Sequence, residues 1–349
     1  MQRNCLISRA GPVWIGPAQI FKVLSIFRVH PKRAVLPGLL IVLAVSCLPL
    51  QATLNINTDA IKKSVVFLYD ADSNGAFNPA LELGTGFFVR VNIKGSSKAY
   101  VLLVTARHVI DPQWAKCRSS GYSHQYLTNP TLIYARLNKR AYVAGSGADG
   151  TVYIPIPLVK NGERVWQRPA DDTADAAVLL IHSPETILAD ADIGSIPLSN
   201  FPTEDEAKRI TIGDQLVSAG LVPGMSGKKR NSPFFKFGYV SSIPDEEVEV
   251  YCTREPYYVR GWFVAANLVA GNSGSPIFYV PAGGRGLVFG SIVTRPLLLG
   301  VQSSSIPPAD LAVMTPIDYV YEIIQNMHLV DADLSRGEPQ SNAAGPPRR

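Results

Sequence analysis

The sequence predicts an all-β protein made of two packed six-stranded antiparallel β-barrels, followed by a short C-terminal helix. Short runs of β-branched and aromatic residues recur along the chain, and clusters of turn-forming residues separate them. The 349 residues include 28 Gly and 27 Pro, and 46% of them are hydrophobic. This composition is too apolar for a disordered chain, and the length suits one large domain or two small ones.

The predicted strands form two groups of about six, as a pair of barrels requires. In the first half they cover residues 64–69, 83–90, 99–105, 131–135, 152–154 and 176–181. In the second half they cover residues 215–220, 235–241, 248–252, 258–263, 277–280 and 286–294. We place the first barrel in residues 60–190 and the second in 205–328, with a polar connection at 182–208 and a helix at 316–327. The polar tail 331–349, rich in Pro and Gly, is expected to be disordered.

The N-terminal segment 1–52 differs from the rest of the chain in charge. It holds six basic residues and no acidic residue, whereas the remainder carries 27 basic and 28 acidic residues. The body therefore lacks the basic surface of a nucleic-acid-binding protein. The apolar run 35–52 is short for a membrane span of about 20 residues, which favours a secretory signal peptide. We expect an exported protein, periplasmic or extracellular, that contacts membranes only through this leader if it stays uncleaved as an anchor or is lipidated at Cys47.

The four cysteines limit the possible disulfides. Cys5 and Cys47 lie in the leader, so an exported body could form at most one internal disulfide, between Cys117 and Cys252. Whether these two cysteines pair is open at this point. The sequence has no Cys/His spacing typical of zinc sites, and we expect neither a metal nor a cofactor.

The segment Gly271-Asn272-Ser273-Gly274-Ser275-Pro276 lies between two apolar runs, 262–266 and 277–280. Glycine on both sides of Ser273 lets the backbone turn tightly and lets a substrate approach closely. In such a turn the N–H groups of Gly271 and Ser273 can point into one concavity beside the serine hydroxyl. This arrangement of a nucleophile and an oxyanion hole suits acyl transfer, although the segment is also compatible with a simple polar turn between strands.

Two upstream residues are candidate partners of Ser273. His108 follows the end of the strand 99–105, and Asp175 leads directly into a buried apolar strand. A buried acid is costly without a partner, and a histidine N–H would satisfy it. The esterase-type Gly-x-Ser-x-Gly elbow nearly fits as well, but those enzymes place their histidine after the serine, where this chain has only His328. The order His, Asp, Ser therefore disfavours an esterase or lipase.

Four blocks resemble those of trypsin-like serine peptidases with the chymotrypsin fold. They are Gly84-Thr85-Gly86-Phe87, Val104-Thr105-Ala106-Arg107-His108-Val109, Asp175-Ala176-Ala177-Val178-Leu179 and Gly271-Asn272-Ser273-Gly274-Ser275-Pro276. The similarity is greatest to the bacterial HtrA-type protease domain, without a PDZ domain.

The resemblance implies a serine endopeptidase that acts on protein or peptide substrates. Ser273 would attack the scissile carbonyl, and His108 would act as general base and then as general acid. Asp175 would fix the tautomer of the imidazole, and the N–H groups of Gly271 and Ser273 would form the oxyanion hole. A catalytically inactive trypsin-fold binding protein is the alternative.

Three departures from the family pattern affect these expectations. Arg107 replaces a small residue, and we expect it to alter the rim of the cleft but not the triad. Asn272 replaces the acid that pairs with a newly cut N-terminus in secreted trypsins, so activation by that route is not expected. Asn267 stands where trypsin has its pocket acid, so a preference for Lys or Arg is not supported. The segment Asn267-Leu268-Val269-Ala270 instead suggests a pocket for apolar residues of medium size.

Overall fold

The computed structural model describes residues 57–111, 114, 127–181, 189–252, 255–269, 271–281, 295–306 and 309–337. These residues belong to one compact unit, Ala52–Arg349. The leader, Cys117, the side chain of Cys252, Ala270 and the predicted strand 286–294 lie outside the described part, so the predictions made for them are not tested. Among the described helices, none has both the length and the apolar character needed to cross a membrane.

Strands make up most of the regular secondary structure of the described chain, which confirms the predicted fold class. The strands of the first half are β1 (Val65–Ala71), β2 (Phe77–Asn92), β3 (Ala99–Thr105), β4 (Leu132–Asn138), β5 (Thr151–Pro157), β6 (Val159–Lys160), β7 (Glu163–Arg164), β8 (Trp166–Gln167), β9 (Ala177–Leu180) and β10 (Ile196–Pro197). Those of the second half are β11 (Gln215–Gly220), β12 (Phe234–Ser242), β13 (Val248–Cys252), β14 (Glu255–Val259), β15 (Trp262–Ala265), β16 (Pro276–Tyr279), β17 (Leu297–Ile306) and β18 (Leu311–Pro316). The helices are α1 (Thr58–Ser64), α2 (Arg107–Ile110), α3 (Glu204–Ala207) and α4 (Ile317–Asn326), with a 3₁₀ turn at Leu198–Asn200.

The first half forms an eight-stranded sheet instead of the predicted closed six-stranded barrel. Its strand order is β5-β4-β1-β2-β3-β9-β8, and β10 pairs in parallel with β2. Register shifts occur between β1 and β2 around Tyr69, and the apolar core on which the sheet packs also includes Val217 and Phe278 of the second half. Within the described residues the sheet does not close, because its path ends at β5 on one side and at the two-residue strand β8 on the other.

The second half forms a closed antiparallel barrel of six strands, in the order β11-β12-β15-β18-β17-β16. The predicted strand 258–263 is in fact divided between two sheets, because β14 pairs with β13 in a separate hairpin and β15 joins the barrel. The division falls at Gly261, where a Cβ atom would lie 2.6 Å from the Val313 side chain. The strands β17 and β18 were not predicted. Helix α4 follows β18 and confirms the predicted C-terminal helix.

Thr85 on β2 connects the first sheet to the 271–276 segment of the barrel. Its N–H donates to the carbonyl oxygen of Ser273 at 2.8 Å, and its hydroxyl donates to the carbonyl oxygen of Gly271 at 3.0 Å. The same hydroxyl accepts from the N–H of Leu221, which follows β11, at 2.8 Å. The neighbouring Gly84 permits this contact, since a Cβ there would lie 2.9 Å from the Ser273 carbonyl oxygen. The Gly-Thr-Gly block therefore positions the serine segment against the first sheet.

The segment 331–337, which we expected to be disordered, packs against the first sheet. Ala332 forms an antiparallel bridge with Ile93, and the N–H of Asp333 donates to the Asn92 carbonyl oxygen at 2.8 Å. The guanidinium of Arg336 lies 3.4 Å from the ring centroid of Tyr321 on α4. The polar composition of the tail concealed these contacts because many of them are made by its backbone and by the Arg336 guanidinium, while Ala332 and Leu334 add apolar contacts to the core.

Deletion of residues 331–349 is therefore expected to lower the thermal unfolding temperature by roughly 5 °C, since several backbone hydrogen bonds and one cation–π contact are lost. Deletion of residues 338–349 alone is the matched control and is expected to change it by less than about 1 °C. Thermal scans of both truncated proteins measure this difference. Equal unfolding temperatures for the two truncations would contradict the packing of 331–337.

Candidate active site

His108 lies in the first turn of α2, directly after β3. Its ring Nδ1 is 2.7 Å from Oδ2 of Asp175, and its backbone N–H donates to Oδ1 of the same carboxylate at 3.0 Å. The side chain keeps 28% of its surface exposed, so the far edge of the ring remains accessible. Because Nδ1 carries the proton that Asp175 accepts, Nε2 is left free to accept another proton.

Asp175 lies two residues before β9 and is buried. Besides the two bonds from His108, it accepts a hydrogen bond from the Ser303 hydroxyl at 2.5 Å. Three donors therefore compensate a carboxylate that would otherwise be strongly destabilised in the interior. Burial alone would raise the pKa of Asp175, but the charge of His108 and the hydrogen bonds from His108 and Ser303 hold that pKa below its ordinary value.

The same pairing changes the proton affinity of the imidazole. Burial on its own would lower the pKa of His108, but the adjacent Asp175 carboxylate outweighs it and raises that pKa above the ordinary 6.5. The protonated form is therefore favoured at mildly acidic pH. The neutral form, which can accept a proton at Nε2, becomes dominant only as the pH rises above the raised pKa.

The segment before Ser273 forms a tight turn that ends at Asn272. The N–H of Asn272 donates to the Val269 carbonyl oxygen at 3.1 Å, and Gly271 has φ +90°. This left-handed backbone conformation favours glycine at position 271. Among the described residues, none accepts a hydrogen bond from the N–H of Gly271 or of Ser273. Both groups therefore stay candidates for the predicted oxyanion hole.

The Ser273 hydroxyl does not bond to His108 in this structure. It donates to the carbonyl oxygen of Ser303 at 3.2 Å, and no bond to the His108 ring occurs among the described contacts. Rotation about a single side-chain torsion redirects a serine hydroxyl, and such bonds often form only when substrate is bound. Ser303 thus contacts both Ser273 and Asp175. The sequence analysis did not predict a role for Ser303. The sequence feature that could have drawn attention to it is the run of serines 303–305, which follows the apolar residues 297–299.

Arg107 differs from its expected position at the rim of the cleft. Its side chain is only 7% exposed, and it bonds to Asp111 at 3.0 Å and to Asp172 at 2.7 Å. Its guanidinium also stacks on Trp114, at 4.8 Å from the ring centroid. A buried arginine needs such carboxylate partners. Arg107 therefore ties α2, which carries His108, to the loop that carries Asp175.

The residues expected to line a substrate pocket differ in burial. Leu268 is buried in the core of the second barrel, Asn267 is exposed and Val269 is half-buried. The pocket formed by this segment stays a prediction. Among the described residues, no three His, Cys, Asp or Glu side chains converge in a way that could hold a metal ion.

Several solved structures are similar to this chain. The apo protease domain of MamO from Magnetospirillum magneticum is 14% identical, with coverage of 78% of this chain and 98% of that chain and a TM-score of 0.40. The active form of the Rv3671c protease from M. tuberculosis is 16% identical, with coverage of 79% and 86% and a TM-score of 0.39. Catalytically inactive tobacco etch virus protease, in complex with substrate, is 12% identical, with coverage of 81% and 92% and a TM-score of 0.40.

No protein-family model and no curated protein matches the sequence. The similarities to solved structures are loose, so the fold class rests on the strand topology described above. A closed six-stranded barrel next to a curved antiparallel sheet, with a short C-terminal helix, is the two-barrel architecture of chymotrypsin-like proteases, with the first barrel open.

The His108–Asp175 contact predicts the titration of the imidazole. In an NMR titration, His108 is expected to have a midpoint above 6.5, because the carboxylate stabilises the charged ring. Asp175→Asn is expected to move that midpoint below the wild-type value, because burial is then no longer compensated by a charge. Ser303→Ala keeps the carboxylate and serves as the matched control. A wild-type midpoint below 6.5 would contradict the pairing.

The Arg107 contacts predict a loss of stability. Arg107→Met is expected to lower the unfolding temperature by roughly 4–8 °C, since two carboxylates lose a buried partner. Arg107→Lys should keep only part of the stability that Arg107→Met loses, because an ammonium cannot bridge both carboxylates as a guanidinium does. Arg168→Met removes a more exposed ion pair to the same Asp172 and is expected to have little effect. Equal losses for Arg107→Met and Arg168→Met would refute the role given to Arg107.

Proposed function

We propose that the protein is a serine endopeptidase that hydrolyses peptide bonds through an acyl-enzyme intermediate. The observation that carries this proposal is the His108–Asp175 pair at 2.7 Å, with Ser303 bonded both to that carboxylate and to the Ser273 hydroxyl. This chain of contacts supports the proposal, because a catalytic triad needs a serine, an imidazole that can accept a proton at Nε2 and a buried carboxylate.

The proposed reaction begins when the Ser273 hydroxyl turns from Ser303 towards His108. Nε2 takes the hydroxyl proton while Oγ forms a bond to the scissile carbonyl carbon. The negative charge that develops on the carbonyl oxygen is stabilised by the N–H groups of Gly271 and Ser273. The imidazolium then gives its proton to the leaving amine as the peptide bond breaks. Water repeats the sequence on the acyl-enzyme, with His108 again as base, and releases the acid product and free Ser273.

The substrates proposed are proteins or peptides. We also propose that the enzyme acts outside the cytoplasm, in the periplasm or the extracellular space. The basic leader and its apolar run 35–52 support this second proposal. The four sequence blocks that contain Gly84, His108, Asp175 and Ser273 support a further proposal, that the enzyme is of the HtrA type.

Fluorophosphonate labelling tests the proposed reaction. The wild-type protein is expected to be labelled once, and the label should be absent from Ser273→Ala because the nucleophile is removed. His108→Ala is expected to label more slowly by a factor on the order of 10⁴ or more, since the base is lost. Intact-mass spectrometry measures the number of labels per chain, and gel fluorescence measures the labelling rate.

Ser275→Ala is the matched control, because Ser275 is a neighbouring buried serine whose hydroxyl has no hydrogen-bond partner among the described residues. It should label at the wild-type rate. A folded wild-type protein that resists the probe would contradict the proposal and favour the inactive trypsin-fold binding protein.

A further inference from the structure

Lys236 occupies an inward-facing position of the second barrel. On β12 the side chains alternate, so that Phe237 and Tyr239 are exposed, whereas the half-buried Lys236 lies on the same face as the buried Val240. Interior positions of a small barrel are normally filled by apolar side chains. A lysine at such a position therefore calls for a partner.

The partner of Lys236 is the nucleophile segment. Its Nζ donates to Oδ1 of Asn272 at 3.0 Å. Burial lowers the pKa of Lys236 below the ordinary 10.5, and among the described residues no charged group offsets this effect. The half-buried ammonium thus carries a desolvation cost while it donates to the residue that precedes Ser273.

Asn272 transmits this contact to the turn. Its side chain is buried, and its Oδ1 also accepts from the N–H of Val269, the first residue of the turn, at 3.0 Å. Its Nδ2 donates to the carbonyl oxygen of Leu221, after β11. Lys236 and Val269 together occupy both lone pairs of Oδ1, so loss of the ammonium leaves a buried acceptor half-satisfied.

The orientation of this turn decides where the Gly271 N–H points. Gly271 has φ +90°, and Asn272 lies directly between Gly271 and Ser273, so the hydrogen bonds of the Asn272 side chain restrain the backbone on both sides of it. The bond from Lys236 to Asn272 therefore acts on the conformation that the oxyanion hole requires.

We propose that Lys236 is a positioning residue whose ammonium holds Asn272, and through it the turn that aims the Gly271 and Ser273 N–H groups at the oxyanion. The inference rests on the proposed function. It adds that the cation which orders the nucleophile segment is a side chain of the folded barrel, so this order forms without cleavage of the chain.

The test compares Lys236→Met and Lys236→Gln with Lys236→Arg, in the full-length protein. The Met and Gln variants are expected to lower kcat and the fluorophosphonate labelling rate by about 10–100-fold, the loss typical of one hydrogen bond to a charged group. KM should change less than about 3-fold, because the oxyanion contact is made in the transition state. Lys236→Arg should recover most of the rate because it keeps the cation.

Lys208→Met is the matched control, since Lys208 is an exposed lysine paired with Glu204 on α3. It should behave as the wild type. In a protein that already carries Asn272→Ala, Lys236→Met should lower kcat and the labelling rate little further, because Lys236 acts through Asn272. Folded Lys236→Met and Lys236→Gln variants with wild-type rates would overturn the inference. It would also be overturned if Lys236→Met lowered the rates by the same factor in the wild type and in Asn272→Ala.

The NMR resonance of the Gly271 amide tests this inference independently of the proposed function, because it can be measured without activity. If the wild type is not labelled at all, the proposed function fails. In that case, a shifted Gly271 resonance in Lys236→Met but not in Lys208→Met still supports the role of Lys236 in positioning the turn. An unshifted resonance overturns it.

Discussion

The carboxylate of Asp175 is buried, and the elements around it are arranged to compensate its charge. An isolated carboxylate in the interior would lose its hydration at great cost, so its oxygens must find donors. The donors come from two distant parts of the chain, with two from His108 on α2 and one from Ser303 on β17. Satisfying this single charge therefore joins the first sheet to the barrel. It also fixes the ring of His108 with Nε2 free, which is the state that a general base needs.

The serine segment is held by a second set of contacts that depends on close backbone approach. Thr85 bonds to the carbonyl oxygens of Gly271 and Ser273, and this is possible only because small residues line the contact. At Gly274, with φ +87°, a Cβ would lie 1.9 Å from the Thr85 carbonyl oxygen. At this contact the backbone of the first sheet lies directly against the backbone of the serine segment 271–274. Lys236 of the barrel contacts the same segment through Asn272. The His108–Asp175 pair and the Ser273 segment are thus positioned by separate interactions that share Ser303.

The sequence predicted the fold class, the strand β11 to the residue and the helix α4 to within one residue at each end, because these segments have clear apolar patterns. It did not predict β17, where Gly300 and three consecutive serines interrupt the apolar pattern, and Ser303 was missed with it. It placed Arg107 at the cleft rim, because neither the buried carboxylate partners of an arginine nor its stacking on Trp114 can be inferred from residue type. Lys236 was missed for the same reason, since its partner Asn272 is 36 positions away. The local pattern of apolar residues predicts strands and helices, whereas contacts between residues that are distant in the sequence decide which polar side chains are buried.

The central claim is that Ser273, activated by His108 and Asp175, forms a covalent intermediate with substrate. The most direct measurement is mass spectrometry of the protein after incubation with a peptide ester and a rapid acid quench, followed by peptide mapping. The account predicts one acyl group per chain, attached to Ser273, that forms and disappears at rates matching turnover. Turnover without an adduct, or an adduct on Ser275 or another residue, would contradict it.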